Sequence, residues 1–192
     1  MKSRVYMVFV LTFVAVIASG LLAYFAVYTQ PYIEKNKQKE IDKAIKEVVP
    51  GVKTSKIIID ESKFKVFQTM NDKEEKIGYA IYIVGTGFQD MITLMFGVDN
   101  DFKTLYSLDV LDQKETPGLG AKITDKNEFL QFWKNRDIEG EIKLVKPPKS
   151  LNELKNNEVN AISGATISSR SVVKIINNAI KKAKEKIKKE VK

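Results

Sequence analysis

From Val5 to Tyr28 the chain runs for 24 residues without a charged side chain. At about 1.5 Å per helical residue this segment reaches about 36 Å, enough to cross the hydrocarbon core of a bilayer with some tilt. A helix of this composition has no polar face to offer water, so it must meet lipid or another protein. Lys2 and Arg4 precede it. By the positive-inside rule they predict a cytoplasmic N-terminus and an extracytoplasmic remainder, although Lys35, Lys37 and Lys39 after the segment weaken the asymmetry. A cleaved signal peptide is the alternative, with Ala18-Ser19-Gly20 as a weak cleavage site. The apolar run is longer than the roughly 7–15 residues usual for such a peptide. Either reading exports the rest of the chain. Ala15, Ser19 and Ala23 share one helix face, and small residues at that spacing allow a partner helix to approach closely in lipid.

The residue types exclude several chemistries. The 192 residues include no cysteine and no histidine. Iron–sulfur clusters need thiolates, and structural zinc sites need Cys or His. Ser-His-Asp and Cys-His hydrolysis are excluded for the same reason. Redox chemistry would therefore need an organic cofactor. The net charge is +8, but much of the excess sits in the tail AIKKAKEKIKKEVK. That tail reads as a solvated helix end, where cations suit the helix dipole, or as a contact with a lipid surface or a partner. It does not read as a nucleic-acid footprint.

After the apolar segment, Ile33, Ile41, Ile45 and Val48 recur at helical spacing and predict a stalk helix that stops near Pro50-Gly51. Strand-like runs follow at Ser55–Asp60, Lys63–Met70, Ile77–Gly85, Met91–Val98 and Thr104–Leu111. Glu128–Lys134 reads as a helix, Glu141–Val145 as a strand closed by Pro147-Pro148, and Asn157–Ile162 as the approach to a loop. Ile167 to about Glu190 reads as the last helix, with Val172, Val173, Ile175, Ile176, Ala179, Ile180 and Ala183 on its apolar face. The expected class is α+β: a transmembrane anchor at 1–30, a stalk at 31–50, and one mostly antiparallel-sheet domain at 51–192 with flanking helices.

Two motifs could carry chemistry. Ser163-Gly164-Ala165-Thr166 lies just before the last helix. Gly admits close backbone approach, Ala keeps bulk away, and the helix start offers free N–H groups and a positive dipole end suited to a phosphate. Thr166 adds a hydroxyl, and Ser168 and Ser169 add further donors. The plainer reading is an ordinary helix cap. Glu115-Thr116-Pro117-Gly118-Leu119-Gly120 combines a fixed Pro angle with two freer glycines, so it can lie flat against a planar ring or be a simple turn. Glu115 is better read as bracing its own turn than as catalytic.

Together, and in this order behind a single span, these motifs resemble the FMN-binding domain family. Asn160-Ala161-Ile162-Ser163-Gly164-Ala165-Thr166-Ile167-Ser168-Ser169 is similar to its flavinylation signature, and Glu115–Gly120 to its second hallmark. Gly78-Tyr79-Ala80 through Gly97-Val98-Asp99 fits its strand pair. Within that family the chain most resembles G subunits of Rnf electron-transport complexes, and more distantly C subunits of sodium-pumping NADH:quinone reductases. The resemblance implies that a separate flavin transferase takes FMN from FAD and joins its phosphate to Thr166 as a phosphoester. Ser163, Gly164, Ala165 and Ser168 would surround the phosphate. Glu115, Thr116, Gly118, Leu119 and Gly120 would border the isoalloxazine ring, with Leu119 over its face. The helix end with Lys122 or Arg170 would offset the phosphate charge. Trp133 is expected in the core rather than on the ring. No catalytic residue and no metal ligand is implied. The signature usually begins with Asp; Asn160 keeps the size and the acceptor oxygen without the charge.

The implied role is an electron-carrying subunit, not a stand-alone enzyme. It would work among other membrane subunits in a complex that couples ferredoxin–NAD electron transfer to sodium or proton movement. Two alternatives stay open. One is a membrane-tethered extracytoplasmic binding module with no redox role. The other is a stand-alone flavin reductase, which the short chain and the missing histidine disfavour.

Overall fold

The computed structural model describes residues 2–190, with side chains from 3 to 189. Met1, Val191 and Lys192, the outer limits of the expected anchor and domain, lie outside the described residues. Helix α1 runs without interruption over Lys2–Val48, with Pro31 inside it. Pro31 removes one backbone hydrogen bond but does not end the helix. Every described side chain from 3 to 40 is exposed, and the helix is long and apolar enough to cross a membrane.

The chain divides into two compact units, Met1–Glu40 and Ile41–Lys192. The division falls before the expected boundary at Pro50-Gly51. Ile41, Ala44, Ile45 and Val48 follow the i, i+3, i+4, i+7 pattern of an amphipathic helix. All four are buried, packed with Val49 against Phe67, Ala80, Tyr82 and Met95. The end of α1 is thus part of the folded domain.

That domain is built on strands β1 (Thr54–Glu61), β2 (Phe64–Met70), β3 (Lys76–Thr86), β4 (Met91–Val98), β5 (Thr104–Asp112) and β6 (Arg136–Asp137), which form one sheet in sequence order. Every neighbouring pair is antiparallel. Side chains alternate across a strand, so Ala80 and Tyr82 face the end of α1 while Tyr79 and Ile81 face the other way. On that second face Ile81, Ile92, Leu94 and Phe96 meet Val172, Ile176, Ala179 and Ala183 of helix α2 (Thr166–Glu190). Burial of each of the larger of these side chains, the valine, isoleucines, leucine and phenylalanine, contributes about 1.5–3 kcal/mol. A separate parallel pair, β7 (Lys143–Val145) and β8 (Glu158–Asn160), leads into α2.

Three expectations change. The helix at Glu128–Lys134 is only a 3₁₀ turn, Leu130–Trp133. The turn is held by i→i+3 bonds, from the Phe132 N–H to the Phe129 carbonyl at 3.2 Å and from the Lys134 N–H to the Gln131 carbonyl at 3.5 Å, while Asp125 Oδ1 caps the segment before it by accepting the Asn127 and Glu128 N–H groups at 2.7 and 2.8 Å. A second 3₁₀ turn, Gly120–Thr124, and the two-residue strand β6 are too short to leave a periodic trace. The basic tail is not simply solvated. Ile180 and Ala183 are buried, and Lys182 and Lys186 each reach Glu61 at 2.6 Å while Lys181 reaches Glu141 at 2.7 Å.

If the end of α1 belongs to the domain, Ile45→Ala should cost about 2–5 kcal/mol, while Ile33→Ala on the exposed stretch should stay within about 0.5 kcal/mol. Denaturant unfolding of the full chain in detergent measures both, and equal small effects would detach the helix end from the core.

Candidate functional site

β8 ends at Asn160, and the chain turns through Ile162–Ala165 into α2. The turn uses Gly164 in the left-handed region, at φ 80°, where a side chain would be strained. Leu119 Cδ2 lies 3.2 Å from the point where a Gly164 Cβ would stand. Buried Ser169 fastens the turn from inside. Its hydroxyl accepts the Ile162 N–H at 3.0 Å and donates to the Ala165 carbonyl at 3.0 Å.

Thr166 is the first residue of α2. The capping position therefore falls on Ala165, which has no side-chain oxygen, so the ordinary cap read from the sequence does not form there. The leading N–H groups of a helix lack intrahelical acceptors, and its N-terminus carries about half a positive charge. The Thr166 hydroxyl accepts a hydrogen bond from Lys146 Nζ at 3.3 Å. The sequence suggested Lys122 or Arg170 for this role. Lys122 is paired with Glu128 at 2.7 Å instead, and Arg170 is exposed.

Lys146 arrives by register. Val145 of β7 is opposite Asn160 of β8, and the Ala161 N–H donates to the Val145 carbonyl at 3.0 Å. Asn160 then grips the far end of the same segment. Its Oδ1 accepts the Lys149 N–H at 3.0 Å and its Nδ2 donates to the Lys149 carbonyl at 2.7 Å. A carboxylate accepts only, so this two-way grip needs the amide that the chain carries in place of the usual acid. Glu158, also in β8, accepts the Lys155 N–H at 3.2 Å and pairs with Lys149 at 3.4 Å. The Lys155 N–H, with Lys149 beside it, holds the Glu158 carboxyl below its ordinary range.

The second motif is tied to the first by one carboxylate. Glu115 is 4% exposed. Its Oε2 meets Ser168 Oγ at 2.6 Å, and its Oε1 accepts the Phe88 and Gln89 N–H groups at 2.7 and 3.2 Å. It does not brace its own turn as expected. It links the β3–β4 hairpin, the Thr116–Gly120 loop and the first turn of α2. Glycines make the room: a Cβ on Gly120 would stand 2.7 Å from Ser168 Oγ and 2.8 Å from Glu115 Oε2, and one on Gly87 would collide with Glu115 Oε1. The Thr116 carbonyl accepts the Leu119 and Ala121 N–H groups, with Gly118 left-handed at φ 75°.

Ser168, Glu115 and Gly120 thus lie in direct contact, and Leu119 faces Gly164. Ser163, Gly164 and Gly118 are exposed, and Thr116 and Thr166 half-buried. Three large apolar side chains on these segments remain open to solvent: Phe88 at 57%, Leu119 at 48% and Ile167 at 54%. Phe88 and Lys146 were not legible as site residues. Nothing in the sequence joins Lys146 to Thr166. Trp133 is fully buried, edge-on to Phe129 with centroids 5.8 Å apart, so it belongs to the core. Among the described residues no cluster of acidic side chains could hold a metal. Cavities of about 400 Å³ beside Asp109 and about 290 Å³ between β3 and α2 include neither Thr166 nor the 115–120 loop. The arrangement offers an anion-binding helix end, a hydroxyl with a neighbouring ammonium, and apolar side chains suited to a planar ligand.

The sequence profile of the FMN-binding domain matches residues 87–181. The chain is 30% identical over 174 residues to the G subunit of the ion-translocating oxidoreductase complex of Methanosarcina acetivorans, covering 87% of each chain. It is 31% identical over 104 residues to the C subunit of the Na(+)-translocating NADH-quinone reductase of Yersinia pestis, covering 50% of this chain and 36% of that one. Its fold is similar to the crystal structure of Shewanella oneidensis NqrC, with a TM-score of 0.54 and 25% identity over 69% of this chain and 65% of that chain.

Glu115→Ala would leave two backbone donors and the Ser168 hydroxyl without their acceptor. Phe88 and Gln89 are exposed and can turn to water while Ser168 is buried, so the loss should be about 1–3 kcal/mol, the cost of one unmet buried group. Glu115→Gln keeps one acceptor oxygen and should recover more than half of it; chemical denaturation compares the two, and equal losses would refute the linking role. For Glu158 the lowered pKa sets the sign. Its contribution is present above the ordinary glutamate value of 4.5 and is lost as the pH falls through the lower folded value. Glu158→Gln should therefore lower the thermal midpoint at neutral pH and flatten its fall on acidification. An unchanged acid limb would remove Glu158 from this account.

Proposed function

This chain belongs to the family of G subunits of ion-translocating oxidoreductase complexes, and from that premise we propose that it carries FMN, joined through its phosphate to Thr166, and relays electrons within a membrane-bound complex. The observation that carries the reading is the start of α2. Ala165 occupies the capping position, and Thr166 opens the helix with its hydroxyl beside Lys146. A plain helix cap would put the oxygen one residue earlier. This counts against a tethered binding module whose Ser163–Thr166 is only a cap.

The residues present fit the cofactor. The helix N-terminus and Lys146 offset the charge of a phosphodiester. Gly164 and Ala165 keep bulk away from it, and Ser168, held by Glu115, keeps the first turn of α2 in place. Leu119, exposed across from Gly164, suits the face of a planar ring. FMN, when bound, supplies one- and two-electron transfer, and the chain supplies attachment, orientation and the local field.

In this reading a flavin transferase matures the protein, and other membrane subunits hold it through the exposed face of α1. The charges at Lys2 and Arg4 support a cytoplasmic N-terminus, with the flavin domain outside the cell. The complex couples ferredoxin–NAD electron transfer to ion movement, and this chain relays electrons on the side away from the ferredoxin and NAD sites.

Co-expression with a flavin transferase, followed by flavin fluorescence in a denaturing gel, tests the attachment. The unsubstituted chain should give a fluorescent band, and Thr166→Val should give none. An equally bright band in the variant would move the attachment elsewhere. No band in either, with an active transferase on a control substrate, would defeat covalent flavinylation of this chain.

A further inference from the structure

Residues 41–189 leave few large apolar side chains exposed: Ile57, Phe88, Leu119, Leu151 and Ile167. Phe88 is the only aromatic among them, and it does not hang from a loose loop. The Gly87 N–H donates to the Asp90 carbonyl at 2.8 Å, which closes the hairpin tip between β3 and β4. The Phe88 N–H and its neighbour from Gln89 both end on Glu115 Oε1. A buried carboxylate thus fixes the backbone of an exposed phenylalanine. The other oxygen of that carboxylate holds Ser168, two residues beyond Thr166. Leu119, on the same loop as Glu115, lies against Gly164, and Ile167 directly follows Thr166.

We propose that Phe88 packs on the isoalloxazine ring of the flavin carried by Thr166, and that Glu115 is the residue that positions it there. The proposal rests on the flavin reading. Phe88 is joined through Glu115 and Ser168 to the helix turn that bears Thr166, Leu119 lies against Gly164, Ile167 follows Thr166, and all three side chains stay about half exposed. A tethered ring is confined to the neighbourhood of its tether, so it is the planar apolar surface that this patch meets first. Aromatic pairs favour offset or edge contacts over bare exposure, and a fixed backbone lowers the entropy lost when the side chain is ordered. An aromatic meant only for a partner protein would have no need of a buried link to the helix turn that bears Thr166.

The test uses the full chain in detergent, flavinylated by co-expression with a transferase, and needs no turnover. The variants are Phe88→Ala, Phe88→Trp and, as a distant exposed control, Ile57→Ala. Iodide quenching of flavin fluorescence and the visible circular dichroism of the flavin are read. Phe88→Ala should raise the iodide quenching constant roughly twofold, because one of the two ring faces loses its aromatic cover, and should weaken the dichroic band. Phe88→Trp should dim the flavin fluorescence through contact with the indole. Ile57→Ala should match the unsubstituted chain. If flavin sits on Thr166 in every variant but quenching and dichroism are unchanged in both Phe88 variants, the inference is overturned and Phe88 belongs to a protein contact. If the unsubstituted chain carries no flavin, the flavin reading falls and this inference falls with it, so the two failures are told apart by the gel band.

Discussion

β3 and β4 are buried on both faces, and the rest of the domain is arranged to cover them. Side chains alternate along each strand, so Ile81 and Phe96 need one cover while Ala80, Tyr82 and Met95 need another. An antiparallel sheet alone cannot meet that need. The end of α1 covers one face and α2 the other. Covering the second face fixes α2 along the sheet through Val172, Ile176, Ala179 and Ala183. The position of its first residue, Thr166, is therefore a consequence of packing well away from the site.

Packing places the helix, and polar contacts finish the site. Glu115 links a hairpin tip, a glycine loop and a helix turn, and its bond to Ser168 spans 53 positions in sequence. Such a group is costly to bury unless all its acceptor capacity is used. Here two backbone N–H groups and a hydroxyl use it. Gly87 and Gly120 are small because the carboxylate occupies the space their side chains would take. Gly120 of the 115–120 motif thus makes room for the carboxylate.

Charge follows the same division. The lysine-rich tail read as a solvated helix end, yet several of its lysines find partners: Lys182 and Lys186 with Glu61, and Lys181 with Glu141. These exposed pairs add little stability. They draw Glu61 and Glu141 below their usual carboxyl range and anchor the C-terminal helix to neighbouring segments. Lys146 differs because its nearest polar contact is the Thr166 hydroxyl. It is delivered there by the parallel pairing of β7 with β8 and by the two-way grip of Asn160 on Lys149.

Local physics made much of this chain legible before folding. Twenty-four uncharged residues read as a helix long enough to cross a membrane, alternation marks the long strands, and 3.6-residue spacing marks α2. The glycine and alanine before α2 and the threonine that opens it mark a tight turn where a helix begins. Contacts between distant residues were not legible. No pattern near Glu115 points to Phe88 or Ser168, and none near Lys146 points to Thr166. The short 3₁₀ turns and β6 lack the length to show a period, and the end of α1 reads as a stalk until the sheet it covers exists. Thus the amino-acid order determined the elements, the membrane segment and the kind of chemistry available. Tertiary structure alone decided which carboxylate holds Ser168 and the Phe88 backbone and which cation donates to Thr166, because those choices depend on register and helix docking, which are properties of pairs of segments and not of either one.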